Sequence, residues 1–396
     1  MLMFVIFGAV LLLMLLGVST AVTMGFASIA TFLFAGGDPT RLFLVPQRMF
    51  AQVSGITLMS IPFFLLMGNL MTVGGVSKSL FGFGRVCLGH RWGGLSNAAI
   101  VACVVMAAMS GSAAACAAGI GMIAINEMTK SGYGRPFSCA TIAAGGALGP
   151  IIPPSFMGWS SWVSARRNYA KTEPAPWRER LQAFREAFFA LMTPVIVMGG
   201  MFGGIFTATE AAAVASLYVM FLGFFVYGTL RVRDLPAIFW NTVEQTAKVM
   251  FVIATAGFFQ YVLLYTRIPQ QAIAFMSTSF ATAAPVLLLI IALLVLMGCF
   301  MEGTAILLIT VPIFVPLAKS FGYDIVQLGI VMCISLAIGV LTPPVGLNLY
   351  VMSSITGEHV LAIAKEAVGY VLIMIIVAIL VAFIPELSLG FAKWVP

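Results

Sequence analysis

Two parts of this sequence join glycine and hydroxyl-bearing residues to consecutive prolines inside apolar runs. The first comprises Ser110-Gly111-Ser112 and Gly149-Pro150-Ile151-Ile152-Pro153-Pro154-Ser155; the second comprises Glu302-Gly303-Thr304 and Gly339-Val340-Leu341-Thr342-Pro343-Pro344-Val345. Successive prolines remove two backbone donors and bar the preceding residue from helical dihedrals, so a helix arriving there must break. The break leaves carbonyl oxygens without partners, and the neighbouring turns add hydroxyls. Oxygens of this kind, without sulfur or imidazole, hold a hard cation. Carbonyls at a helix C-terminal end do so without burying a full negative charge. Against this stand plainer readings: a structural kink at the prolines, and close helix packing through Ser110 and Ser112.

The elements that must position these oxygens are membrane helices. Of 396 residues, 61% are hydrophobic and 8% charged, against about 25% charged in soluble domains. Runs at 1–16, 190–206, 285–300 and 371–383 approach, with their flanks, the roughly 20 residues that cross a bilayer. At that depth unpaired carbonyls persist only where they are buried in protein or line a polar cavity. Two breaks at matching places in two halves point to the binding site of a secondary transporter.

The first sixteen residues lack a basic leader and are read as a retained helix rather than a cleaved signal. The net charge is +7. Basic residues gather at 166–185 and at Arg231 and Arg233, on either side of a two-span segment. This assigns both clusters to the cytoplasm and reflects orientation rather than nucleic-acid binding. The six cysteines show no CxxC spacing and read as packing residues. The chain has no Ser-His-Asp set, no His or Cys metal spacing, no glycine-rich phosphate loop and no Walker sequence, which argues against an enzyme and against ATP drive.

The order of segments repeats. Spans near 1–17, 21–35 and 56–70 precede a Gly74-Gly75 turn and an amphipathic piece, read as lying along the membrane surface; spans at 190–206, 211–227 and 249–264 precede Arg267-Ile268-Pro269. Lys130-Ser131-Gly132-Tyr133 is echoed by Lys319-Ser320-Phe321-Gly322-Tyr323, and the distance from Gly111 to Pro153 is 42 residues against 40 from Gly303 to Pro343. Such ordered coincidences indicate an internal repeat. The run from Asn97 to Ile125 admits either one long tilted helix or a hairpin turning at Ser110–Ser112. An odd number of crossings in the second half makes the repeat inverted.

The expected division is 1–165, a basic cytoplasmic linker at 166–187, and 188–396. The first half falls short by about thirty residues near 157–161, because 155–165 stands where the second half has 345–385. Either the chain lacks them or they are omitted from the sequence, which a jump in the roughly 3.8 Å Cα spacing there would betray. Glu210 reads equally as a functional intramembrane acid or as a helix-start carboxylate after Thr207. Glu302 sits beside the second turn and could serve the site or cap its own hairpin arm.

At these residues the sequence resembles the large membrane subunit (DctM-like, M type) of tripartite ATP-independent periplasmic (TRAP) transporters. The stretches are Ile61–Gly68, Gly74–Ser77, Ser110–Ala113, Gly149–Ser155, Gly203–Ala213, Glu302–Ala305 and Thr342–Tyr350, in family order over nearly the whole chain. The resemblance implies an all-α integral membrane protein with two inverted-topology repeats, re-entrant hairpins and broken helices, an elevator-type carrier of the ion transporter superfamily. It implies sodium-driven import of an organic acid (a carboxylate). It also implies two partners, a small four-helix membrane subunit (Q type) and a periplasmic substrate-binding protein (P type), in the bacterial inner membrane. A stand-alone sodium/carboxylate symporter or exchanger of the same superfamily is the alternative.

On this reading Ser110, Ser112, Gly149, Ile152 and Pro154 form a first Na+ site, and Gly303, Gly339, Thr342 and Val345 a second, largely through carbonyl oxygens. Ser155 and Asn348, just beyond the breaks, are candidates for the substrate carboxylate. Cys116 stands where the family usually has an acidic residue, which weakens any role for a carboxylate there, and Ala208 replaces a common proline.

Overall fold

The computed structural model of the protein describes residues 18–110, 113–147, 154–280, 282–301 and 303–392, with residues 8, 10, 12, 13 and 16. Among the described residues every regular element is a helix. Five of the described helices are long and apolar enough to cross a bilayer: Trp177–Phe202, Ala208–Val226, Val232–Tyr265, Gly303–Ser320 and Val360–Phe383. The pair Ser60–Val73 and Val76–Leu88, bent by 62°, is either a broken span or a re-entrant loop. The protein is therefore an all-α, multi-pass membrane protein. Most of the expected helix at 1–16 lies outside the described residues.

The chain forms two compact units, Met1–Leu58 with Thr246–Gly339 and Ile376–Val395, and Met59–Gln245 with Val340–Ile375 and Pro396. Each unit draws on distant segments, so the units cut across the sequential division at 166–187. The helix Trp177–Phe202 begins inside that basic stretch. Residues 157–161 lie within the uninterrupted helix Pro154–Arg166.

In the unit containing residues 246–339, the helices Ala283–Gly298 and Gly303–Ser320 pack on each other, and Ile325–Gly339 packs on both. Leu294, Ile306, Ile309 and Leu328 are fully buried in its core. Where Gly298 of Ala283–Gly298 meets Gly339 of Ile325–Gly339 no side chain intervenes. A Cβ added to Gly339 would lie 2.4 Å from the Cα of Gly298, closer than any two carbons pack.

In the other unit, Gly94–Ser110 and Ala113–Lys130 fold back on each other. The Sγ of Cys116 donates to the carbonyl of Cys103 at 3.0 Å; in one continuous helix thirteen residues would separate them by about 20 Å. The hairpin is thus the alternative that holds. Against it lies Arg135–Ala147, whose residues from Phe137 to Ala147 are all buried. Its alanines and glycines let neighbours approach on several sides: a Cβ at Gly145 would sit 2.9 Å from that of Cys103.

The same turn joins the second and third helices of each trio. Gly132 (φ +81°) and Gly322 (φ +71°) adopt left-handed backbone. The amide of Tyr133 donates to Met128 at 3.0 Å and that of Gly132 to Thr129 at 3.0 Å, while Tyr323 donates to Ala318 at 2.9 Å and Gly322 to Lys319 at 3.0 Å. This paired bonding is the Schellman stop, in which glycine avoids the Cβ penalty of the left-handed region. The two expected matching bends also agree, since Gly75 (φ +80°) and Arg267 (φ +55°) both precede a new helix in left-handed conformation.

Candidate cation and substrate site

The second break is described in full. The helix Ile325–Gly339 stops at Gly339, residues 340–346 are not helical, and a new helix runs Leu347–Thr356. Gly346 turns the chain with φ +61°, and a Cβ there would meet Leu349 at 2.9 Å and the carbonyl of Thr342 at 3.2 Å. The amide of Asn348 donates back to the carbonyl of Val340 at 3.1 Å, which closes the unwound stretch on itself. Thr342 and Val345 on it are half-buried.

Of the first break, residues 148–153 lie outside the described residues, as do Gly111 and Ser112, so Ser112, Gly149 and Ile152 are not placed. Ser110 is the last residue of its helix and Pro154 the first of the next. Ser155 follows and is half-buried.

Gly303 and Gly339 belong to the unit with residues 246–339, where the hairpin junction meets the last turns of Ile325–Gly339: the Cβ direction of Gly303 points at Leu336, 3.7 Å away. Thr342 and Val345 belong to the other unit. Glu302 lies outside the described residues. Glu210 resolves as a cap: the amide and hydroxyl of Thr207 both donate to its carboxylate at 2.8 Å, and its own amide donates to the Thr207 hydroxyl at 3.3 Å. This is a capping box, and it accounts for the carboxylate.

The helix leading into the first break and the helix leaving the second lie side by side and antiparallel within one unit. At one end Nη2 of Arg135 donates to the carbonyl of Thr356 at 2.8 Å, and its Nε faces Glu358 at 3.8 Å. At the other end Nδ2 of Asn348 donates to the carbonyl of Ala143 at 3.0 Å. Between them Cys139 donates to the Thr356 hydroxyl at 3.6 Å. Because the partner at Ala143 is a carbonyl, that position of the Asn348 amide must be nitrogen. Its oxygen therefore points elsewhere, fully buried and without a donor among the described residues.

An unpaired buried acceptor of this kind costs roughly 1–3 kcal/mol. One of the two N–H groups of the Asn348 amide is thus given to Ala143.

Further residues brace the first break, and the sequence reading missed them. The hydroxyls of Ser96 and Ser160 share a hydrogen bond, Ser160 donates to Oδ1 of Asn97 at 3.0 Å, and Nδ2 of Asn97 donates to Ser161 at 2.9 Å. They tie Pro154–Arg166 to the base of the first hairpin. Thr141 and Tyr370, both fully buried, bond at 3.0 Å and tie Arg135–Ala147 to Val360–Phe383. The available signal was the polar doublets Ser96-Asn97 and Ser160-Ser161 inside apolar helix, where unpaired polar groups are costly.

Comparison with known proteins places these features in context. The family described as tripartite ATP-independent periplasmic transporter, DctM component, matches residues 7–160 and 156–387. The C4-dicarboxylate TRAP transporter large permease protein DctM of Pseudomonas aeruginosa is 36% identical, with 94% of each chain covered. The sialic acid TRAP transporter large permease protein SiaM of Vibrio cholerae is 33% identical, covering 89% of this chain and 90% of that one. Among solved structures, the Alcanivorax borkumensis YdaH transporter shares the fold, with a TM-score of 0.52, 15% identity and 90% of each chain covered.

Proposed function

Since this chain belongs to the DctM-component family of tripartite ATP-independent periplasmic transporters, we propose that it is a sodium-coupled importer of an organic acid, working by an elevator movement of two inverted repeats. As a large permease it is one component of a tripartite system. The proposed partners are a small four-helix membrane subunit and a periplasmic binding protein that delivers the acid, at the bacterial inner membrane. That relatives of similar length carry C4-dicarboxylates and sialic acid supports an acidic substrate.

The observation that carries the reading is the antiparallel pairing of Arg135–Ala147 with Leu347–Thr356. It draws the flanks of both breaks together around Ala143 and Asn348. A helix C-terminal end carries partial negative charge and a helix N-terminal end partial positive charge. Side by side, they suit a cation and the anionic group of a substrate respectively. Sodium would be held by carbonyls of the broken segments, with Ser110, Ser112, Gly149, Ile152 and Pro154 around the first break and Gly303, Gly339, Thr342 and Val345 around the second. The buried Asn348 oxygen and the Ser155 hydroxyl would face the substrate or its ion.

Proteoliposomes containing both membrane subunits and the binding protein test this reading with labelled dicarboxylates, keto acids and sugar acids. An inward sodium gradient should drive uptake, and Ser112→Ala and Thr342→Ala should raise the sodium concentration needed for half-maximal rate. Uptake indifferent to sodium in the unaltered protein would refute the coupling. Uptake that persists without the binding protein would favour a stand-alone sodium/carboxylate symporter or exchanger.

A further inference from the structure

A cavity of about 550 Å³ lies in the unit containing residues 59–245, away from both breaks in sequence. It opens between Val76–Leu88, Ala113–Lys130, Trp177–Phe202 and the stretch 226–229. Lys78, Arg85 and Arg185 line its polar side, and Phe81, Phe83 and Phe189 its apolar side.

Its depth follows from the helices that form it. Trp177–Phe202 carries Arg178, Glu179 and Arg180 before this level, Arg185 and Glu186 at it, and no charged residue after Glu186. The candidate span Ala208–Val226 ends as it reaches the cavity at Tyr227. A place where two spans pass from apolar to charged is the headgroup level of a bilayer, and the basic excess marks the cytoplasmic leaflet.

The charges are not balanced within the protein. Glu127 is held by Arg85 at 3.4 Å and Lys130 at 3.8 Å. The carboxylate of Glu186 accepts from the Gln182 amide at 3.0 Å, and its main-chain carbonyl accepts from the hydroxyls of Ser79 and Tyr227 at 2.9 Å. Lys78 and Arg185 are exposed and have no carboxylate partner among the described residues. Lys78, Arg85 and Arg185 against Glu127 and Glu186 leave the lining with a net positive charge, over an aromatic wall that continues into the exposed faces of Phe188 and Phe189.

We infer that this cavity binds an anionic phospholipid of the cytoplasmic leaflet, its phosphate between Lys78 and Arg185 and its acyl chains along Phe83 and Phe189. Basic pockets between membrane helices recognise acidic headgroups in this way. The aromatic wall distinguishes the lipid from free phosphate, which has no use for it. The inference is independent of sodium coupling and of the identity of the transported acid.

Native mass spectrometry of the full-length chain tests it, with dioleoylphosphatidylglycerol as the probe, dioleoylphosphatidylcholine as the neutral comparison and inorganic phosphate as competitor. Phosphatidylglycerol should be retained in preference to phosphatidylcholine and should survive millimolar phosphate. Lys78→Gln and Arg185→Gln should each weaken retention about fivefold, and together about 25-fold. Lys78→Arg should restore binding in the first case, and Arg178→Gln, outside the cavity, should leave it unchanged.

Equal retention of both lipids, or displacement by phosphate, would overturn the lipid assignment. So would unchanged binding in the double variant with an unaltered melting temperature.

Discussion

Along the helix Arg135–Ala147 the buried residues include Ala140, Ala143, Ala144, Gly145, Gly146 and Ala147; its counterpart Ile325–Gly339 buries Leu328, Val331, Met332, Ile334, Leu336 and Ile338. Both follow a helical pair and the same glycine stop, yet they pack by different means. Small residues let Arg135–Ala147 touch both hairpin arms and the helix Leu347–Thr356, with hydrogen bonds fixing the contacts. Large residues let Ile325–Gly339 fill space mainly against Ala283–Gly298, closing to bare backbone only at Gly298 and Gly339. Lipid removes the hydrophobic drive between helices, so close approach and interhelical bonds decide stability. The first trio uses both along its length; the second relies on large side chains, one bare-backbone contact, and the bonds of Gln327 to the carbonyls of Val381 and Ala382 at one end.

Substituting glycine probes that contrast most severely. Gly339→Val must push two backbones apart and should lower stability by about 3 kcal/mol or more, at the upper end of overpacking costs. Gly145→Ala meets a side-chain carbon of Cys103 instead and should cost about 1–2 kcal/mol. Reversible unfolding in mixed micelles measures both, and equal losses would erase the distinction.

Next in size is Asn348→Ala, which removes the bond to Ala143 together with the unpaired oxygen. Stability should change by about 1 kcal/mol or less, while uptake in proteoliposomes should fall at least about tenfold. A large loss of stability with normal uptake would make Asn348 a packing residue. Gly132→Ala and Gly322→Ala have no neighbour to strike, so each should cost only the backbone penalty of about 1 kcal/mol, alike in the two trios. The smallest effect is expected from the cycle of Thr141→Val and Tyr370→Phe. A coupling near 0.6 kcal/mol, typical of interhelical bonds in membranes, would distinguish a shared bond from two independent contacts.

Local stereochemistry was the part of the fold readable from the sequence. Pro343-Pro344 forced the break, and Gly132 and Gly322 marked their turns, because proline and glycine act on their own backbone. The hairpin at Ser110 was left open, since alanine-rich helix on both sides is compatible with continuing or folding back. Only the distant meeting of Cys103 and Cys116 decides it. Asn348 was legible as a polar residue after a break, but which of its two amide atoms is spent depends on Ala143, 205 positions away. The pairing of Thr141 with Tyr370 was invisible for the same reason, since a lone hydroxyl in a membrane helix is ordinary until its partner is known; the doublets Ser96-Asn97 and Ser160-Ser161 signalled polar partners without saying which. Gly298 and Gly339 look like any of the 39 glycines until two helices cross there.

The clasp between Arg135–Ala147 and Leu347–Thr356 is fastened at both extremities, by a guanidinium on Thr356 and an amide on Ala143. Sliding one rod past the other by a single turn, about 5.4 Å, would undo both fastenings at once and leave the buried Asn348 amide without its carbonyl. The two rods accordingly share one register. Any displacement of the polypeptide that carries one of them carries the other.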